Sequence, residues 1–302
     1  MKLFQYIVEK EQENQRIDKC IHSMLTDVSR SYIQKVIKDG YLFVNNVSVK
    51  SNYKVKIDDE IKLELPDAII PDIIPEDITL DILFEDKDVI VINKPKGMVV
   101  HPAAGHYSGT LVNAVMFYCG DSLSGINGVM RPGIVHRIDK DTTGSIIICK
   151  NDFSHNEIAS QLKEHTITRK YLAICQGVIS EEEGIVNAPI GRHHVERKKM
   201  AINHNHGKDA ITHYKVLKRF EKFTYIECQL ETGRTHQIRV HMASLGHPLL
   251  GDELYNHIPS KLKLQGQTLH AYILGFKHPT TGLYCETIAP IPDYFNHLLQ
   301  IL

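Results

Sequence analysis

Three prolines in ten residues, Pro66-Asp-Ala-Ile-Ile-Pro-Asp-Ile-Ile-Pro75, divide this chain more firmly than anything else in it. Each proline fixes its own φ and biases the residue before it away from helix, so the stretch reads as an extended linker. It opens the acidic part of the chain: residues 67–92 carry a net charge of −7, while residues 1–66 carry +1 and residues 93–302 carry +5. The total of −1 therefore conceals two mildly basic bodies, which permits an RNA partner without demanding one. A chain of 302 residues suits one small and one large domain, with expected bounds of 13–65, a linker at 66–79, and 80–302.

Hydrophobic and charged fractions of 42% and 24% are those of a soluble globular protein with ample core. No apolar run approaches the ~20 residues needed to span a bilayer, and the polar start Met1-Lys-Leu-Phe-Gln-Tyr6 lacks a signal-peptide apolar region. The six cysteines are far apart with no C-x-x-C, which points to reduced thiols in a cytosolic protein. A cytoplasmic monomer is the expectation.

In the first unit, Ile17, Cys20, Ile21, Met24 and Leu25 recur at helical spacing. Ser29 is placed to cap a second helix whose apolar face is Ile33, Val36 and Ile37, and Gly40 stops it. Two short strands then flank an Asn45-Asn46 turn, and the alternating run Ile61–Leu65 closes the unit. The order helix, S-R-x-x-I-Q-x-x-I-x-x-G, then V-N-N-x-x-V-K resembles the αL-type, S4-like RNA-binding module of a small-subunit ribosomal protein. That resemblance implies that Arg16, Arg30, Lys35 and Lys38 face RNA phosphates.

Beyond the linker, strands are expected at Ile82–Phe84, Val89–Ile92, Ser145–Lys150, Lys170–Gln176, Thr212–Leu217, Thr224–Leu230 and in a hairpin over His270–Ile288. Helices are expected over Leu111–Tyr118, Phe153–Glu164 and Thr235–Leu245. Strands mostly neighbour strands, so the fold class is α+β with a mixed, mostly antiparallel sheet rather than a βαβ array. No G-x-G-x-x-G or P-loop follows a strand, so no nucleotide cofactor is expected.

Four segments carry polar groups that a purely structural protein does not need: Asn93–His101, His136-Arg-Ile-Asp139, Thr168-Arg-Lys-Tyr171 and Glu231–His241. Asp139 sits between Arg137 and Lys140, ahead of a Thr-Thr-Gly turn and the apolar run Ile146–Cys149. Asp139, Asp141 and Gly144 half-match a calcium loop, but Thr143 and Lys150 stand at its fifth and twelfth positions, where the loop needs an oxygen ligand and a bidentate Glu. A two-carboxylate hydrolase using Asp139 and Asp141 fares no better, because residues two apart on a turn diverge. The histidine-rich stretch His193-His194, His204 and His206 lacks the cysteine or carboxylate partners of a closed metal site. In the last segment a helix starting near Arg234 sets Arg239 about 140° away from it. One of these guanidiniums is then free to pair with a carboxylate while the other meets solvent or phosphate.

Taken together, HRIDKDTTG, the R-K-Y-L-A strand start, GRTHQIRVHM with LGHPLLGD, and DVIVINKPxGMVVHP resemble the RluA/RluD family of RNA pseudouridine synthases, from about residue 80 to the C-terminus. Ile138 and Thr143 replace that family's usual Leu and Ser. The resemblance implies isomerisation of uridine to pseudouridine, a reaction that moves no electrons in or out and needs no redox cofactor or metal. It assigns the essential carboxylate to Asp139, its arginine partner to Arg234, and an aromatic that stacks on the uracil to Tyr171. Arg137 would splay the RNA and fill the space left by the flipped base, and Arg239 would contact RNA. Flipping is required because the glycosidic bond is inaccessible inside a stacked helix. Asp139 has three conceivable roles, attack at C1′, addition to C6 or base at C2′, and the base role is favoured because it leaves no ester to resolve. Large-subunit ribosomal RNA is the expected substrate, with transfer RNA as the alternative. A non-catalytic RNA-binding or ribosome-assembly factor is a third reading, disfavoured because a pure binder has no use for a carboxylate beside phosphates.

Overall fold

The computed structural model describes residues 2–25, 30–65, 73–102, 106–120, 122–124, 132–196, 198–258, 262 and 264–302. The chain divides into two compact units, residues 1–71 and 72–302. Ser29, the expected helix cap, and most of the proline-rich stretch lie outside the described residues.

The first unit starts earlier than its sequence pattern suggests. Strand β1 (Lys2–Ile7) pairs antiparallel along the whole of β4 (Glu60–Leu65), which in turn pairs with β2 (Leu42–Val44) and, through it, β3 (Val47–Ser48). Asn45 and Asn46 both take left-handed φ, 49° and 64°, as the two-residue turn joining β2 to β3 requires. Helices α1 (Ile17–Met24) and α2 (Arg30–Lys38) bury Ile17, Cys20, Ile21, Ile33, Val36 and Ile37 against Leu42, Val44, Ile61 and Leu63 of this sheet.

In the second unit, strands β5 (Ile82–Glu85), β6 (Val89–Lys94), β7 (Thr143–Cys149), β8 (Thr168–Gln176), β9 (Glu183–Asn187), β12 (Ile211–Arg219), β13 (Phe223–Leu230), β14 (Leu269–Lys277) and β15 (Tyr284–Ile288) form one sheet. Its order is β5-β6-β7-β14-β8-β13-β12-β9, with β15 beside β14. Among the described strands only the β7–β14 pair is parallel, so the sheet is mixed and mostly antiparallel as expected. A separate hairpin joins β10 (Ile190–Arg192) to β11 (Met200–Ile202). Helices are α3 (Leu111–Cys119), α4 (Asp152–Lys163), α5 (Gln237–Ser244) and α6 (Asp293–Ile301). No described helix is long and apolar enough to cross a membrane.

The period-two alternation of strands sorts residues between the two faces of this sheet. Ile90, Ile92, Ile146, Ile148, Tyr171 and Ala173 enter one core with α3, while Val89, Val91, Ile147 and Cys149 enter another with Ile158 of α4. Strand β7 is buried at all seven positions, so its start is fixed on both faces. Gly144 sharpens that start: its φ is +104°, and a Cβ there would lie 2.2 Å from the Ala271 carbonyl oxygen. Leu172 and Ile174 face Phe295 and Leu298 of α6, a helix that the sequence reading did not assign.

Residues 73–79, read from the sequence as linker, belong to the second unit. Ile73 is buried in its core, the Asn113 side chain donates to the Ile74 carbonyl at 2.8 Å, and the Glu76 carboxylate accepts from the Gly109 amide. An irregular strip that satisfies its polar groups on a neighbouring helix packs as well as a regular element does.

Candidate active site

Asp139 lies on the loop that feeds β7, where its carbonyl accepts from the Thr142 amide at 3.1 Å. That turn, the buried strand after it and a lysine below it hold the loop. Lys94, fully buried at the end of β6, donates to the carbonyls of Pro95, Met98 and Lys140 at 2.7, 2.9 and 3.0 Å. Burial pushes the Lys94 ammonium down to about 7, with Asp141 and Asp139 pulling the other way. The residue directly after Asp139 is thereby tied to a different strand.

The carboxylate of Asp139 is 18% exposed and opens into a cleft of about 590 Å³. Its cationic partner is Arg239, whose Nη1 donates to Asp139 Oδ2 at 2.8 Å. The other nitrogens of Arg239 bind Asp252, Nε to Oδ2 at 2.7 Å and Nη2 to Oδ1 at 2.9 Å. Asp252 is fully buried and also accepts the amides of Leu254 and Tyr255, while the Tyr255 ring lies 5.2 Å from the guanidinium. Burial alone would lower the pKa of Arg239, but Asp252 and Asp139 overcome that and raise it, so the guanidinium stays charged. His236 Nε2 stands 3.8 Å from Asp139, and its Nδ1 pairs with the Tyr255 hydroxyl at 2.8 Å.

This corrects the expected pairing of Asp139 with Arg234. Helix α5 starts at Gln237, and His236 before it is left-handed with φ 57°, so Arg234 and Arg239 share no helical wheel. Arg234 lies on the preceding turn, lines the cleft, and donates from Nε to the Asp209 carbonyl at 2.8 Å. Arg239, expected to contact RNA, is buried and belongs to the carboxylate. The sequence reading quoted LGHPLLGD but gave Asp252 no task, and it gave none to His236 or Tyr255. One buried and one cleft-facing carboxylate straddling a single guanidinium is a relationship between distant segments that spacing cannot reveal.

Tyr171 on β8 is buried and lines the same cleft, with its hydroxyl pKa raised by burial. Arg137 is exposed at the cleft, while His136 turns inward, where its Nε2 accepts from the Ile147 amide at 3.1 Å. Burial, then Arg169, pushes His136 down to about 3, so it is neutral. Asp141 does not line this cleft; it faces Gly266, where a Cβ would sit 2.5 Å from its own Cβ. Among the described residues lining the cleft, Arg137, Lys163, Arg169, Arg234 and Arg239 are cations and Asp139 is the sole carboxylate.

In the first unit, Arg16 and Arg30 turn onto the fully buried Asp18 instead of standing free. Arg16 Nε reaches Oδ1 at 3.0 Å and Arg30 Nη2 reaches Oδ2 at 2.8 Å, with Gln34 joining them. Burial opposes ionisation of Asp18, yet hydrogen bonds from Arg16, Gln34 and Arg30 hold its carboxyl well below the usual range. Both arginines remain about two-fifths exposed, at 42% and 37%. Lys38 is exposed at the end of α2, and the side chain of Lys35 lies outside the described residues.

A cation-lined cleft with one anchored carboxylate, on a mostly antiparallel sheet, suits an enzyme that acts on a polyanion. Residues 88–244 match the family model described as RNA pseudouridylate synthase, and residues 15–61 match the S4 domain. An uncharacterized RNA pseudouridine synthase of Bacillus subtilis is 51% identical over 97% of this chain and 96% of its own length. Ribosomal large subunit pseudouridine synthase D of Zymomonas mobilis is 43% identical over 95% of this chain and 93% of its own. The protein of the same name in Pseudomonas aeruginosa is 42% identical over 95% and 92%. Among solved structures, human RNA Pseudouridylate Synthase Domain Containing 1 superposes with a TM-score of 0.58 at 26% identity, covering 71% of this chain and 84% of that one. The chain belongs to the RNA pseudouridine synthase family and is an isomerase that acts on RNA, with an S4 domain at its N-terminus.

Proposed function

We propose that this enzyme converts specific uridines of large-subunit ribosomal RNA to pseudouridine in the cytoplasm, with Asp139 as its essential carboxylate. The observation that carries this reading is Asp139 itself, the one carboxylate among the described residues of a cation-lined cleft, tied at 2.8 Å to a buried arginine. The relatives named for the large ribosomal subunit match over nearly the whole chain, and that supports the choice of RNA.

The chemistry follows from where the groups stand. The flipped uridine enters the cleft with its ribose at Asp139 and its base against the Tyr171 ring. Asp139, held in place by Arg239, takes the C2′ proton as the N1–C1′ bond breaks, and returns it after the uracil has turned to present C5. Arg239 is a positioning residue in this scheme, because it acts through Asp139. Arg137, exposed at the cleft, occupies the space the flipped base leaves, and Arg234 meets the backbone near it. In the S4 domain, Lys38, Lys35 and the outward parts of Arg16 and Arg30 meet phosphates.

The test is a pseudouridine map of cellular RNA from a strain lacking this gene, rescued with wild type or Asp139→Asn. One or more sites in large-subunit ribosomal RNA should disappear on deletion and return with wild type alone. Sites lost only from transfer RNA would move the substrate. Retention of every site, or rescue by Asp139→Asn, would sink the catalytic reading.

A further inference from the structure

Arg169 is the buried cation of the cleft whose charge the mechanism above does not use. It is 6% exposed, lines the cleft, and makes no ion pair among the described residues. Its Nη2 donates to the Glu231 carbonyl at 2.8 Å, while its buried Nε has no partner. A buried guanidinium without a carboxylate is costly to a fold, and a fold keeps one where a ligand supplies the missing negative charge. The surroundings are shaped for it: a Cβ on Gly233 would lie 2.5 Å from Arg169 Nη1, so only glycine there leaves the fork its place.

The strand fixes where that charge sits. Arg169 and Tyr171 are two apart on β8 and therefore point to the same face of the sheet. Arg169, Tyr171 and Asp139 all line the cleft, and both charged groups act on the Tyr171 hydroxyl. The cleft thus presents an aromatic ring together with one carboxylate and one unpaired cation. RNA phosphates, by contrast, have the exposed Arg137 and Lys163 to meet.

We infer that Arg169 binds a carbonyl oxygen of the flipped uracil and stabilises the negative charge the base carries while it is detached. This inference rests on the pseudouridine reading. When the N1–C1′ bond breaks, its electron pair stays on N1 and spreads to O2 and O4, and the C2′ proton passes to Asp139. Return of that proton to C2′ leaves C1′ electron-poor. The uracil then forms the C5–C1′ bond, C5 loses its proton, and N1 gains one, so the product is an isomer of the substrate. A guanidinium fork is complementary to the oxygens of the detached base and holds it inside the cleft as it turns.

The test compares wild type with Arg169→Met on an unmodified 23S ribosomal RNA transcript and on the same transcript made with 5-fluorouridine, whose base is a better leaving group. Arg169→Met should bind the transcript within about threefold of wild type, with an unchanged salt slope and no loss of Tm, because the change removes an uncompensated buried charge. Single-turnover conversion of uridine should fall at least ~100-fold, the size of a lost oxyanion contact. Fluorine at C5 cannot leave as the C5 proton does, so on the fluorinated transcript the readout is loss of the N1-linked nucleoside; there the penalty should shrink at least ~10-fold, because the departing base needs less stabilisation, and Arg169→Lys should recover part of the uridine rate. Gly233→Ala, which displaces the fork and keeps the charge, should slow conversion in the same direction. A salt slope lower by about one would assign Arg169 to a phosphate and overturn the proposal. Equal penalties on both transcripts, or a rate near wild type, would overturn it as well. Wild-type conversion of the transcript separates the two levels: with it, a negative result removes Arg169 alone; without it, the ribosomal RNA reading on which this inference rests falls, and the inference with it.

Discussion

Arg239 joins Asp139 to Asp252: a single guanidinium donates to the cleft carboxylate at 2.8 Å and closes a two-point fork on a second carboxylate behind it. Three charges of net −1 thus share one partly buried site, and the guanidinium cannot leave one carboxylate without stranding both. Lysine offers one point charge in place of the fork and cannot serve both carboxylates with this geometry.

Substitution at Arg239 should therefore cost far more than substitution at Arg234. Arg239→Met strands two carboxylates and should destabilise the second unit by about 3–5 kcal/mol. Asp252→Asn keeps the shape, loosens the fork, and should slow single-turnover conversion about 100-fold while changing RNA affinity little. Arg234→Ala should leave the chemical step within about tenfold, since Arg234 holds the Asp209 carbonyl rather than Asp139. Rate and affinity measured in parallel on the three variants check the ranking, and an Arg234→Ala loss larger than that of Asp252→Asn would contradict it.

The base role of Asp139 predicts a primary isotope effect. A transcript deuterated at C2′ of the target uridine should convert several-fold more slowly than the protiated one in single-turnover reactions. Nucleophilic attack at C1′, or addition to C6, breaks no C2′–H bond in its first step. An isotope effect of one in a reaction limited by chemistry would therefore remove the base role.

Asp18 makes a stability prediction for the S4 domain. Its folded pKa is depressed, so the stabilisation it supplies is present above its unfolded value of about 4 and is lost as pH falls through the lower folded value. Asp18→Asn leaves Arg16 and Arg30 without their shared buried acceptor and should cost about 2–4 kcal/mol. Urea unfolding followed by a probe in this domain should show the full loss at pH 7 and a difference from wild type that shrinks steadily as pH falls below 4.

How much of this was legible in the sequence depended on whether the signal was local. Period-two and 3.6-residue patterns marked β6, β7, β8, β13, α3 and α4 within two residues of their observed ends, because burial on a sheet face or helix stripe imposes those periods directly. The edge strand β1 and helix α6 were missed: one precedes the first helical pattern, and the other is short, with Phe295 and Leu298 as its buried residues. At the site, Asp139 and Tyr171 stood out because charged and aromatic groups flank apolar strands there. The arginine assignment failed on one torsion. Left-handed His236 delays α5 to Gln237 and breaks the wheel that related Arg234 to Arg239, and no residue in Glu231–His241 announces it. Asp252, brought in from beyond α5, has no local pattern at all.

Lys94 supplies the last prediction, in which stability also rises with pH, as for Asp18, but over a window near neutrality and above. Burial lowers its folded pKa to about 7 from an unfolded value of about 10.4. Between those values the unfolded chain binds a proton that the folded chain releases, so stability should rise with pH across the window 7–10. The slope contributed by one such group is at most about 1.4 kcal/mol per pH unit. Lys94→Met removes this contribution, so the difference curve obtained by subtracting mutant from wild-type unfolding free energies should rise across that window; Lys96, lowered to about 8 by burial, is present in both proteins and cancels. The same substitution frees the Lys140 carbonyl from β6, so conversion should slow while RNA affinity holds. A flat difference curve together with a wild-type rate would show that neither the charge nor the clamp of Lys94 matters to the loop that carries Asp139.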